Sequence, residues 1–200
     1  MARIPFNVSA KTARLIGREN VSNLEGALIE LIKNTYDADA KKCVVYYENS
    51  SDRLFIIDNG TGMNKDVIVD NWMTIGNSAK RDCVYTKAGR VNTGEKGIGR
   101  FALDRISEKC KMLTVSSQVR FEWLVNWESF DSSELITDTF AELNDSTETI
   151  PQYLCNIDNK YLEKLLESDF SKTGTCFVLE NRRDQWNDVL IERVKNSIQK

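Results

Sequence analysis

Glu30-Leu-Ile-Lys-Asn34-Thr-Tyr-Asp37-Ala38 is the stretch on which the fold turns. Its apolar spacing predicts a helix, and that helix carries three polar side chains where a packed helix should be apolar. At about 100° per residue, Glu30, Asn34 and Asp37 fall within a wedge of roughly 60°. The stripe Leu24, Leu28, Leu31 and Thr35 runs beside the wedge, with Ile32 on its far edge. Gly26, Ala27, Ala38 and Ala40 permit close packing on neighbours, so the expected helix is buried. Buried polar side chains need partners. A carboxylate and an amide one turn apart can hold a hydrated divalent cation and activate a water, and Mg²⁺ takes few protein ligands while keeping water. A solvated helix face is the plainer reading of the same residues.

Upstream of this helix, residues 1–20 are mixed and basic, fitting a strand or arm and a short helix. Ser22 or Asn23 can cap the helix, which is expected to run to about Tyr36, with Glu25 three residues after Ser22 as a capping box. Downstream, Cys43–Glu48 reads as a strand and Leu54–Ile57 as a more buried one, joined by the turn chemistry of Asn49–Asp52 into a hairpin. A short helix is expected over residues 65–72. Residues 76–96 are rich in Gly, Asn, Lys and Arg and weakly periodic, which predicts a mobile loop. From Gly97 the chain turns helical to Ile106, burying Phe101, Ala102 and Ile106. Strands are expected at 112–116, 119–127 and 175–180, and helices at 159–167 and 184–198. Residues 128–151 are acidic and rich in Ser and Thr, a surface excursion of marginal structure. Neither an internal repeat nor an interdomain linker is visible, so residues 1–200 read as a single domain.

Composition narrows the chemistry. The chain has 200 residues, 41% apolar and 28% charged, which suits one globular core. A net charge of −3 argues against a domain built mainly to grip nucleic acid. No apolar run approaches the ~18 residues that span a bilayer, and the first twenty residues lack the apolar stretch of a signal peptide. The expected location is cytoplasmic, with no membrane partner. Cys43, Cys83, Cys110, Cys155 and Cys176 are odd in number and show no C-x-x-C spacing, which suits reduced thiols. The chain contains 0 histidines. That removes Ser-His-Asp and Cys-His nucleophiles, His-ligated zinc and the H-R-D loop of protein kinases. Catalysis must rest on carboxylates, amides, lysines, backbone groups and a metal.

Two further motifs suit the same site. Asp58-Asn-Gly60-Thr-Gly62-Met63 ends the second strand. It is common turn chemistry. It also places a partly buried carboxylate where it can accept from an exocyclic amine such as that of adenine. Gly60 and Gly62 let backbone pass close to a flat ring, and Met63 offers soft apolar cover. Thr93-Gly94-Glu-Lys96-Gly97-Ile98-Gly99-Arg100 places glycines ahead of a helix, where free N–H groups and the positive helix end meet phosphate. It is neither a Walker A loop nor G-x-G-x-x-G, and a glycine cluster for helix packing is an equal reading. Lys80, Lys96 and Arg100 add positive charge.

Together these motifs resemble the GHKL superfamily of ATPases and kinases, which includes the gyrase B subunit, the large heat-shock chaperones, MutL and MORC proteins, and sensor histidine kinases. The resemblance runs from about Asn20 to Glu180, and Ile75–Arg81 is similar to the I-G-x-S-x-K segment of chaperone and MORC-type members. It implies a Bergerat fold: an α/β two-layer sandwich whose mixed, mostly antiparallel sheet carries helices on one face that enclose ATP, closed by a lid at 76–96. By position it implies Glu30 as general base and Asn34 as Mg²⁺ ligand, with Asp37 close to the nucleotide. Asp58 would bind the adenine amine, joined by Thr175 through water and flanked by Gly60, Gly62 and Met63. Gly94, Lys96, Gly97, Ile98, Gly99 and Arg100 would surround the phosphates, with Asn71 and Lys80 at the ribose and phosphate edge. Chaperones carry an aromatic where Arg100 stands, and no family counterpart can be assigned to residues 128–151 from the sequence.

The expected function is Mg²⁺-dependent ATP hydrolysis that drives a conformational cycle, carried out by the N-terminal module of a longer chaperone-, MutL- or MORC-like protein. The isolated module is expected to be slow. Expected partners are a second copy, paired through the N-terminal arm when ATP is bound, and a downstream domain of the same protein; whether a nucleic acid or a client protein joins them stays open at this point. A protein kinase of the histidine-kinase branch and an ATP-gated binding module without turnover are the alternatives. Glu30 suits hydrolysis better than phosphotransfer.

Overall fold

A computed structural model describes residues 3, 7–19, 21, 23–76, 84–93, 99–117, 119–157, 159–166, 170 and 172–198. Two helices lead the chain, α1 (Ala10–Glu19) and α2 (Leu24–Asp37). Asn23 starts α2, its side-chain oxygen accepting from the Gly26 N–H at 2.7 Å. Strands β1 (Cys43–Glu48) and β2 (Arg53–Asp58) follow as an antiparallel hairpin in which Cys43 faces Asp58 and Glu48 faces Arg53. The short helix expected near 65–72 contains a π-helical turn, Val67–Trp72. Helix α3 (Phe101–Ile106) runs without a break into β3 (Ser107–Val115), which pairs with β4 (Arg120–Asn126). The rest comprises α4 (Ser129–Ser132), β5 (Glu142–Asp145), α5 (Ile150–Asn156), α6 (Lys160–Leu166), β6 (Gly174–Arg182) and α7 (Asp188–Ile198).

The six strands lie in the order β1-β2-β6-β3-β4-β5, and every pairing among the described residues is antiparallel. Alternation along a strand sends successive side chains to opposite faces, and both faces here are covered. Leu54 and Ile56 of β2, Met112 of β3 and Phe177 and Leu179 of β6 pack beneath α2 and α3. Phe55, Ile57, Leu113, Cys176 and Val178 face the other way, against Tyr153 and Leu154 of α5 and Leu162 and Leu166 of α6. The α/β Bergerat architecture stands, and the helices α5 and α6 add a third layer. Burial on both faces is why Leu54-Phe-Ile-Ile57 reads as one continuous apolar run.

Three segments differ from expectation. Residues 128–151 are more structured than their acidity suggests: Phe130 is buried, and β5 extends the sheet as an edge strand beside β4. Helix α5 was not expected, although Thr149 and Gln152 form a capping box at its start. Residues 84–93, within the expected mobile loop, are tied to the end of α2. There Thr86 Oγ1 and the Ala88 N–H both donate to Asp39, and Arg90 donates to the Ala40 carbonyl at 2.8 Å.

At the chain ends, α7 packs on α2 through the buried Val194 and an Arg193–Glu25 ion pair. Residues 8–10 pair with 134–136, Ala10 N donating to the Glu134 carbonyl and Ile136 N to that of Val8. Helix α1 then crosses α3 so closely that a Cβ on Gly17 would come within 2.2 Å of the Phe101 ring.

Candidate functional site

The antiparallel register sets a row of three polar residues across the centre of the sheet. Asp58 at the end of β2 faces Thr175 of β6, and Thr175 faces Thr114 of β3. All three are buried. Asp58 Oδ1 accepts from the Gly60 N–H at 2.8 Å. Burial pushes the Asp58 carboxyl up to about 7, against the opposing pull of the Gly60 and Thr175 backbone N–H groups. A carboxylate so short of donors is suited to taking another from a ligand amine. Thr114 Oγ1 accepts from the Met63 N–H at 2.8 Å and stands 3.3 Å from Thr175 Oγ1.

The turn after Asp58 is locked from several sides. Asn59 Oδ1 accepts from the N–H groups of Lys41 and Lys42, and Thr61 N donates to the Ala38 carbonyl at 2.9 Å. A Cβ on Gly60 would lie 2.6 Å from that same Ala38 oxygen. Gly62 has φ +63°, and its Cβ would meet the Val115 oxygen at 2.1 Å. The close approaches at Gly62 are all to protein backbone, whereas those at Gly60 include the Ala38 Cβ and Asp58 Oδ1, at 2.9 Å each.

On α2 the polar wedge is divided between two jobs. The Glu30 side chain is 41% exposed and, among the described residues, pairs with Lys33 at 3.0 Å, one turn along. Such a surface pair is weak and easily exchanged. The Asn34 amide stands against the start of α3, since a Cβ on Gly99 would come within 3.1 Å of its Nδ2. Asp37 instead holds the segment ahead of the glycine-rich stretch: Thr93 donates to it from both backbone and hydroxyl.

Arg100 is engaged at the end of the π-helical turn. Its guanidinium donates to the carbonyls of Asn71 and Thr74 at 3.0 and 2.8 Å and lies over the Trp72 ring. Burial pulls it down to about 10. Arg100 and Asn71 thus meet through backbone at the end of the π-helical turn. Lys80, Gly94, Lys96, Gly97 and Ile98 lie outside the described residues. Sequence reasoning missed Thr114 and Asn59. Asn59 sits in a turn motif and could have been found, whereas nothing about a threonine inside an apolar strand marks Thr114.

Among the described residues no cluster of three or more His, Cys, Asp or Glu could hold a metal unaided. Glu30 and Asn34 do suit a cation that takes one or two protein oxygens and completes its shell from phosphate and water. The buried, donor-poor Asp58 suits an amine-bearing base. An apolar groove elsewhere, lined by residues that include Trp123, Trp127 and Phe140, contains none of Glu30, Asn34 or Asp58. No helix among the described residues is long and apolar enough to cross a membrane.

Residues 21–152 match the family model described as histidine kinase-, DNA gyrase B-, and HSP90-like ATPase. The chain is 34% identical over 181 residues to the ATPase MORC2B of Mus musculus, covering 79% of this chain and 17% of that protein. It is 27% identical over 169 residues to the chaperone protein HtpG of Nitrosomonas eutropha, covering 72% of this chain and 26% of the chaperone. HtpG of Buchnera aphidicola is 27% identical over 184 residues, covering 79% of this chain and 29% of that protein. The chain thus spans less than a third of the length of each of these relatives.

Proposed function

The chain belongs to the family of histidine kinase-, DNA gyrase B- and HSP90-like ATPases, and from that premise we propose that it binds Mg²⁺-ATP beside Asp58 and hydrolyses it. The observation that carries this reading is the buried Asp58 carboxylate, raised to about 7 and held, among the described residues, by the backbone N–H groups of Gly60 and Thr175 at the end of a central strand. It would accept the adenine amine, with Thr175 beside it. The turn 59–63 would bring Met63 over the base. The backbone at Gly99 and the glycines before it would face the phosphates.

Glu30 and Asn34 supply the oxygen atoms on the phosphate side. Asn34 would hold Mg²⁺, which when bound neutralises phosphate charge. Glu30 would exchange its Lys33 pair for a water lined up on the γ-phosphorus and take that water's proton as the new O–P bond forms. The bond from the γ-phosphorus to the bridging oxygen breaks, and ADP leaves with the electron pair. Asp37 contributes indirectly, by anchoring Thr93 just before the glycine-rich stretch. Hydrolysis would drive a conformational cycle in a longer chaperone- or MORC-like protein, with two copies pairing through residues 1–20 when ATP is bound.

Glu30→Ala tests the reading. It should leave Mg²⁺-ATP affinity by calorimetry within a few-fold of the parent and abolish phosphate release, because the base acts only in the chemical step. Loss of binding together with turnover would make Glu30 a binding or structural residue.

A further inference from the structure

Thr114 has no place in the sequence-derived site, yet its hydroxyl is fully buried between two groups of that site. The Met63 N–H donates to Thr114 Oγ1 at 2.8 Å. The other recorded neighbour of that hydroxyl among the described residues is Thr175 Oγ1, at 3.3 Å. A hydroxyl has one hydrogen to give, and buried hydrogen-bonding groups are almost always satisfied. Thr114 is 0% exposed, so bulk water does not reach its hydroxyl. If Thr175 donated to Thr114, the Thr114 hydrogen would have no acceptor. The arrangement that satisfies both hydroxyls runs from Met63 N–H to Thr114, and from the Thr114 hydroxyl to Thr175.

We infer that Thr114 is a specificity-determining positioning residue: it fixes Thr175 as a donor toward the ligand and thereby selects adenine over 6-oxopurines. This rests on the reading that a purine amine binds Asp58. With its oxygen occupied by the Thr114 hydrogen, Thr175 turns its own hydrogen toward the base. A water that accepts it donates its two hydrogens to the Asp58 carboxylate and to the ring nitrogen beside the amine. In adenine that nitrogen carries a lone pair and accepts. In guanine and hypoxanthine it carries a hydrogen and opposes the water, while the 6-oxo group opposes Asp58. The register Asp58–Thr175–Thr114 across three adjacent strands makes the relay a rigid one.

The test compares Thr114→Val, which keeps shape and removes the hydroxyl, with Thr114→Ser, which keeps the hydroxyl. Mg²⁺-ATP and Mg²⁺-ITP binding are measured by calorimetry. Ser should match the parent, whereas Val should weaken ATP by about tenfold and ITP much less, so that the ATP-to-ITP preference shrinks. In a Thr175→Val background, Thr114→Val should cost no further ATP affinity, because it acts through that residue. Should the Val variant fail to fold, Thr114→Cys, whose thiol donates poorly, replaces it with the same expected direction. An unchanged ATP-to-ITP ratio in the Val or Cys variant, equal loss in Ser and Val, or additive losses with Thr175→Val would each overturn the inference. A parent protein that binds no ATP would overturn the underlying nucleotide reading as well, and is distinguished by that control alone.

Discussion

Thr93 gives both its backbone and its hydroxyl hydrogen to one carboxylate oxygen of Asp37, at 2.8 and 2.9 Å. The same end of α2 also holds Thr86, Ala88 and Arg90. The stretch 84–93 is therefore docked on the helix that carries Glu30 and Asn34. Asp37→Ala removes two hydrogen bonds to a charged acceptor, each worth roughly 1.5–3 kcal/mol. Amide hydrogen exchange over residues 84–93 should accelerate markedly in that variant without nucleotide, with α2 itself little changed. Unchanged exchange would mean that Asp37 does not anchor the segment.

Asp104 of α3 is fully buried and accepts from Arg14 of α1 through two bonds of 2.9 Å each and from Arg183 at 2.9 Å. Asp104→Ala leaves two largely buried guanidinium groups without their shared counter-charge. A loss of about 3–5 kcal/mol is expected from breaking a buried pair on one side, read as a lower urea midpoint at unchanged slope. A loss below about 1 kcal/mol would show that the network is solvated and weak.

The legible parts of this fold were those where local pattern and tertiary role agree. The apolar stripe of α2, the hairpin β1–β2 and the Asp-Asn-Gly turn each state their structure within a dozen residues. The place of Asp58 was readable, because the apolar run Leu54–Ile57 stops at it and the turn residues Asn59 and Gly60 follow. What escaped depends on partners distant in sequence. Thr114 matters because register places it beside Thr175, sixty-one residues away. Residues 142–145 form a strand because the edge of β4 pairs with them, in spite of their acidity. Arg100 was read as a phosphate contact from its place after the glycines, yet the carbonyl groups of Asn71 and Thr74 engage it.

The raised Asp58 carboxyl ties affinity and stability to pH. An amine donor favours the ionised form, so binding lowers the Asp58 value and expels a proton when the pH lies near or below about 7. With Mg²⁺ present, calorimetry in buffers of different ionisation heat should show proton release near neutrality that vanishes well above it. Absence of release at neutrality would contradict the assignment. The folded state also holds more protons than the unfolded one between about 3.9 and about 7. This contribution to stability is full below that window and lost as pH rises through about 7, a slope that Asp58→Asn should flatten in urea unfolding.

The basic residues of α7 are engaged locally, Arg193 with Glu25 and Lys195 with Glu192. The module is expected to work with a downstream domain, and neither of these two is recorded beside Glu30 or Asn34 among the described residues. An uncovered side of the transition state slows hydrolysis by about 10²-fold or more per missing donor. The 200-residue chain should therefore turn over slowly, with a rate per molecule that rises with protein concentration as copies pair. Brisk, concentration-independent turnover would show the site to be complete within one chain.

The most direct test of the account is nucleotide binding to the parent chain and to Asp58→Ala, measured by calorimetry with Mg²⁺-ATP and Mg²⁺-GTP. A site built on one buried carboxylate reading an exocyclic amine predicts clear binding of ATP and rejection of GTP by the parent. It also predicts loss of most ATP affinity in the variant while its circular dichroism spectrum remains that of the parent. Equal binding of ATP and GTP by the parent, or undiminished ATP binding by a folded Asp58→Ala variant, would contradict it.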